Sequence, residues 1–282
     1  MSTTTVAFDG WSLIGASPEG GVWKVLDVDG WLAKTLRRNR QPRAGQSGNW
    51  PSAGNIDGKT VTIKGQAIYP TAAGAARERR LVMALGGRDL SELTIEDAAG
   101  QLTAFVETDA IDVKPVRDTM LTFTITVHAP DATLYGPQAF AQAPFASTSA
   151  GAGLTYPLTY PLDYGVPAGV TPGSVTVAND GTTAYWPRVR IDGPVTNPAV
   201  SLVETGDTIR YRGTVPAGQH LDLDCPNRRA TIGDNPASVR RWVSAVGNWL
   251  AVPPGGASIA ATADSAGPAA SFSVWSYEGA CS

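Results

Sequence analysis

Histidine and cysteine are scarce: the 282 residues hold two of each, His128 and His220, Cys225 and Cys281. That count excludes a CxxC zinc cluster, an HExxH site and a multi-disulfide framework, and it leaves room for one disulfide without requiring it. Charge is sparse and nearly balanced, with 22 Lys plus Arg against 25 Asp plus Glu and a formal net charge of -3. No net field therefore draws the chain to nucleic acid or anionic lipid. Long apolar runs are missing as well. The uncharged stretches Ala132 to Leu162 and Val243 to Ala263 are interrupted by Pro and Gly, so neither suits a membrane-spanning helix. Met1 to Gly15 has no basic segment ahead of an apolar run, and no secretory signal is expected.

Catalytic inventories fail on the same counts. A Ser-His-Asp or Cys-His arrangement needs a histidine beside its nucleophile, but His128 ends a strand-like run and His220 follows the turn Ala217-Gly218-Gln219. No GxSxG elbow, GxxxxGK[ST] loop or strand-linked GxGxxG occurs. Asp222 and Asp224 are two apart on one strand face, where they could share a calcium ion; the plainer reading is the polar face of a strand whose other face carries Leu221, Leu223 and Cys225. No cofactor and no enzymatic activity are expected.

What is plentiful is glycine, proline and tryptophan: 31 Gly, 21 Pro and 8 Trp in a chain that is 43% apolar. The Gly and Pro residues punctuate short β-branched or aromatic runs, the pattern of many strands joined by turns. Thr119 to Val127 is the clearest strand, with Leu121, Phe123, Ile125 and Val127 alternating with polar neighbours. Similar alternation marks Val189 and Ile191 around Arg190, Ile209 and Tyr211 around Arg210, and Leu221 to Cys225. One helix is predicted, Ala72 to Leu85, stopped by Gly86-Gly87; a short helical turn is predicted at Leu90 to Leu93. Trp186, Trp242 and Trp275 read as core, and Trp11, Trp23, Trp31 and Trp50 as residues buried at interfaces. The architecture expected is mostly β with one α-helix.

Residues 1–134 carry 14 basic and 15 acidic side chains, whereas 135–282 carry 8 and 10, and every base in the second part is Arg. Two domains are expected, 1–136 and 166–282, joined by a low-charge linker or extended arm at 137–165 whose Tyr156, Tyr160 and Tyr164 alternate with Pro157 and Pro161. Arg37, Arg38, Arg40 and Arg43, followed by Gly45, Gly48 and Trp50, read either as a solvated loop or as a docking surface rich in donors.

Two stretches go beyond composition: Val127-His128-Ala129-Pro130-Asp131-Ala132-Thr133-Leu134-Tyr135-Gly136, and Leu154-Thr155-Tyr156-Pro157-Leu158-Thr159-Tyr160-Pro161-Leu162. With Asn179-Asp180-Gly181, Trp186 to Pro194, Asn197-Pro198, Gly218 to Asp224 and Trp249 to Gly255, all in order, the chain resembles the distal tail (Dit) or minor tail proteins of long-tailed phages, especially those of actinobacterial hosts. The first part matches more by layout than by motif. The resemblance implies a β-barrel-like N-terminal domain that assembles into a hexameric ring, then a galectin-like β-sandwich. It also implies a structural virion protein at the distal end of the tail, made in the host cytoplasm. Its implied partners are other copies of itself, the tail tube protein, the tail-associated hub (Tal) protein of the tip and the tape measure protein. The interface candidates are Arg37, Arg38, Arg40, Arg43, Trp50, Arg77, Arg80, Tyr156 and Tyr160. The alternative is a carbohydrate-binding module for host adhesion; a tail-associated glycosidase or peptidase ranks last.

Overall fold

The computed structural model describes residues 4–87, 89–145, 173–234 and 237–282. They form two compact units, Met1–Pro137 with Cys281–Ser282, and Gln138–Ala280.

The first unit is built on the alternation that the sequence displays most clearly. Strand Met120–Ala129 buries Leu121, Phe123, Ile125 and Val127 and turns its threonines outward. It pairs with Lys59–Ile68, whose Val61, Ile63, Gly65 and Ala67 face the same core. Glycine is required at one point of that match: Gly65 lies opposite Phe123, and a Cβ there would sit in the Phe123 ring and 2.6 Å from the Lys24 carbonyl oxygen. The antiparallel path runs Trp11–Ser12, Thr5–Phe8, Ser91–Asp97, Gly100–Arg117, Met120–Ala129, Lys59–Ile68, Val22–Asp29, Gly15–Ala16. The end strands Trp11–Ser12 and Gly15–Ala16 are joined by only Leu13 and Ile14, and the Trp11 ring lies 6.2 Å from that of Trp23, but the two strands do not pair; the unit is mostly β as expected, and no closed barrel forms among the described residues.

The helix runs Ala72–Val82, with Thr71 Oγ1 accepting from the Gly74 N–H at 3.1 Å and Arg79 and Arg80 in the last turn. It ends three residues before the predicted stop. Its inward face carries Glu78, fully buried, which accepts a hydrogen bond from Ser17 Oγ at 2.7 Å. The helical turn predicted at Leu90 to Leu93 is instead the start of strand Ser91–Asp97: Ser91, Leu93 and Ile95 are buried alternately, a period of two that outlasts the local cap signal at Ser91.

The second unit consists mainly of two sheets. The six-stranded sheet runs Gln138–Pro144, Ser271–Tyr277, Arg188–Asp192, His220–Asp224, Arg229–Ile232, Ala237–Ser238; the five-stranded one runs Gly173–Val177, Ala257–Thr262, Ala199–Leu202, Thr208–Tyr211, Val243–Val246. Each buries one face: Val189, Ile191, Leu221, Leu223, Phe272 and Val274 from the first, Val175, Val200, Leu202, Ile209 and Ile259 from the second. This is sandwich construction. Gln138–Pro144, inside the segment read as an arm, is thus a strand, pairing residue for residue with Ser271–Tyr277. Cys225 is buried here, and both cysteines are free. None of the three tryptophans expected in this core is buried in it: Trp186 is 40% exposed after the Tyr185 bridge to Val252, Trp242 is 49% exposed in the single-turn helix Arg240–Trp242 with the Arg241 guanidinium 5.2 Å from its ring centre, and Trp275 is half-buried on the outward face of the six-stranded sheet. Trp23 and Trp31 are buried in the first unit's core rather than held for an interface. Among the described residues, no helix is long and apolar enough to cross a membrane.

Candidate interaction surfaces

The arginine-bearing segment is a β-hairpin, not an irregular loop. Leu36–Arg38 pairs with Gly54–Ile56, placing Leu36 opposite Ile56, Arg37 opposite Asn55 and Arg38 opposite Gly54. A bridge between Pro42 and Asn49, with Trp50 N–H donating to the Gln41 carbonyl at 2.8 Å, extends the ladder toward a tip where Gly45 and Gly48 take positive φ. The base is anchored by Lys59, a buried lysine whose ammonium donates to the Trp31 carbonyl at 2.8 Å and lies 5.5 Å from the Trp31 ring centre. Burial pushes the Lys59 ammonium below the ordinary lysine value, against the raising influence of Asp131.

Beyond that anchor the hairpin has almost no core of its own. Every residue from Leu32 to Trp50 is exposed except Arg43, which is half-buried, and the apolar side chains share that exposure: Leu32 at 76%, Trp50 at 59%. Arg43 stacks on Trp50, its Cζ 5.0 Å from the ring centre. Arg37 reaches Asp57 only at 4.0 Å, and Arg38 and Arg40 project into solvent. The candidates Arg77 and Arg80 are exposed on the helix, Arg77 beside Glu19 at 3.3 Å. Among the described residues no ion pair or hydrogen bond joins the helix to the hairpin. Tyr156 and Tyr160 lie outside the described residues.

At the far end of the strands Val22–Asp29 and Lys59–Ile68 from the hairpin, Val22 and Ile68 are register partners, and they are 60% and 51% exposed. Leu81 and Met83 at the end of the helix are likewise uncovered.

The second unit carries a surface that reading along the chain missed. On the outward face of the six-stranded sheet, Phe140, Trp275, Arg188 and Asp224 are successive cross-strand partners. In the adjacent row Arg190 faces Asp222 and donates to it through Nε at 2.8 Å and Nη2 at 3.4 Å. This bond to Asp222 raises the Arg190 pKa above its ordinary value. Asp222 and Asp224 thus form the polar face of their strand, as read from the sequence, each facing a guanidinium, with Asp224 lying 3.9 Å from Arg188. His220 and His128 read as strand-end residues and stand as such, His220 within 3.3 Å of Asp222 and His128 Nδ1 3.4 Å from Thr60 Oγ1.

Comparison with known proteins places this architecture among tail components of long-tailed phages. Residues 180–274 match the family model of the siphovirus-type tail component, C-terminal domain. Across the chain the fold is similar to SPP1 Dit, described as a paradigm of the hub adsorption apparatus in Gram-positive infecting phages. That match has a TM-score of 0.58, 14% identity and 99% of each chain covered. A chain of the phage P2 baseplate in its activated conformation is also similar, with a TM-score of 0.55 and 10% identity over 97% of this chain and 98% of that one. Among curated proteins no sequence matches. The resemblance to distal tail proteins is thus borne out, by a family match within the second unit and by fold across both.

Proposed function

We propose that the chain is a structural protein of the phage tail tip that closes into a hexameric ring and acts as an adaptor between the tail tube and the tip or baseplate proteins, its work being assembly rather than turnover. The observation that carries this reading is the Leu36–Ile56 hairpin. A two-stranded ribbon is marginal in water on its own, and this one, with the Leu32 that leads into it, exposes Leu32, Leu36, Trp50 and Ile56 together with Arg37, Arg38 and Arg40. Such an arm gains its stability by being covered. A ring needs a heterologous contact, one face of a copy meeting a different face of the next, and the exposed Val22 and Ile68 row on the same unit supplies a second apolar face. The exposed acids Glu92, Glu96, Asp97, Glu107 and Asp109, on strands Ser91–Asp97 and Gly100–Arg117 of the same unit, complement the arm's arginines.

The similar structures belong to a hub adsorption apparatus and a baseplate, which agrees with a virion protein at the distal end of the tail, with tube, hub and tape measure proteins as its neighbours. Replacing Arg37, Arg38 and Arg40 with Glu tests the reading. The expected result is a folded chain, by circular dichroism and thermal melting, that no longer associates or supports tail assembly. Unaltered oligomers and tails in that variant would remove the arm from the interface.

A further inference from the structure

The outward face of the six-stranded sheet holds an open groove of about 470 Å³ lined by Gln138, Arg188, Arg190, Asp222, Asp224 and Trp275. We propose that this groove is a binding site for a neutral saccharide, a run of hexose or N-acetylhexosamine units in a cell-surface polysaccharide. It lies within the second unit alone and does not depend on the ring.

Three features select that ligand class. First, the groove has an accessible aromatic side: Trp275 lines it, and its cross-strand partner Phe140, 57% exposed, stands beside it with ring centres 5.2 Å apart and planes tilted by 57°, an apolar patch for the C–H face of a pyranose. Second, the polar wall presents planar groups fixed in place. Arg190 is held by its two bonds to Asp222, and its Cζ lies 5.6 Å from the Trp275 ring centre, so the guanidinium sits between carboxylate and indole with limited freedom. Guanidinium and carboxylate edges side by side offer donors and acceptors at the spacing of adjacent hydroxyls, and a preorganised fork loses less entropy on binding. Third, the charges cancel. The lining holds two guanidinia and two carboxylates, and Asp192 and Asp234 add negative charge near Arg190, so a phosphate or sulfate group meets no net attraction.

Rival occupants fit less well. A cation would have to displace guanidinia already engaged with both carboxylates, and no cluster of three ligating side chains exists among the described residues. An added peptide strand needs a free sheet edge, whereas Trp275, Arg188, Arg190, Asp222 and Asp224 lie on interior strands whose edges are paired on both sides.

The test is a glycan array probed with the labelled full chain, with neutral hexose and N-acetylhexosamine oligosaccharides as ligands and polyglycerol phosphate as the anionic comparator. Binding to at least one neutral class is expected. Titration of that glycan should then show roughly tenfold or greater weakening in Trp275→Ala, and weakening in Phe140→Ala and Asp222→Asn, each checked for fold by thermal melting. Phe140 is exposed, so its variant keeps the test decisive even if Trp275→Ala unfolds. Trp242→Ala, an exposed tryptophan outside the groove, should bind as the parent does. Absence of neutral-glycan binding, binding to polyglycerol phosphate alone, or undiminished affinity in a folded Trp275→Ala or Phe140→Ala variant would overturn the assignment.

Discussion

Replacing Gly65 with alanine probes the register that organises the first unit. Gly65 faces Phe123 across the pair formed by Lys59–Ile68 and Met120–Ala129, and the added methyl would enter the Phe123 ring while lying 2.6 Å from the Lys24 carbonyl oxygen. Neither neighbour yields easily. Lys24 O belongs to the backbone of the adjacent strand, and Phe123 is 2% exposed with its ring 4.7 Å from that of Trp23. Overpacking of this kind costs about 2–3 kcal/mol. At about 3–4 °C per kcal/mol for a unit of this size, the midpoint should fall by roughly 6–12 °C. Scanning calorimetry reads the shift. Gly87 is the control: it has open space around its Cβ position and no positive φ, so Gly87→Ala should leave the midpoint unchanged or slightly raised. A Gly65→Ala midpoint within about 1 °C of the parent would refute the reasoning, because a slip of one residue would turn Gly65 away from Phe123.

Three further outcomes follow from single side chains. Thr71→Ala removes the oxygen that accepts from Gly74 N–H and should cost about 1 kcal/mol in a denaturant titration. Burial pushes the Cys225 thiol far above its ordinary range, so a thiol reagent should modify the half-buried Cys281 in the native protein and reach Cys225 only after denaturation. Lys59 titrates below its ordinary 10.5 in the folded chain, so between those two values the unfolded chain binds more protons and stability should rise with pH. Denaturation midpoints measured up to that value should show the slope in the parent and a flatter one in Lys59→Met.

The elements most legible in the sequence were those whose signal is local. Period-two alternation gives Met120–Ala129 to within two residues, and helix formers followed by Gly86-Gly87 give the helix Ala72–Val82 with its start matched and its end three residues too late. Ser91–Asp97 is ambiguous at its start, because a cap-like serine next to leucines supports either state until Ile95 extends the alternation. The hairpin's arginines were visible, but its ladder depends on Leu36 meeting Ile56 across a segment with no alternation to announce it. The groove was least legible. Arg190 and Asp222 each show as a polar residue between two apolar ones, yet their meeting with Trp275 and Phe140 requires strands far apart in the chain to become neighbours, and pairing order at that range leaves no mark on any one segment. Tryptophan's dual use blurred the rest: Trp186 and Trp242 have the composition of core residues and lie on the surface.

Ring formation is the central claim, and the most direct measurement is light scattering on the size-fractionated protein, alone and mixed with its tail tube protein, followed by negative-stain class averages. A species of six times the 29.4 kDa chain mass with six-fold, ring-shaped averages, in either sample, is the predicted result. A monomer that persists in both samples, with no ring in the averages, would contradict it.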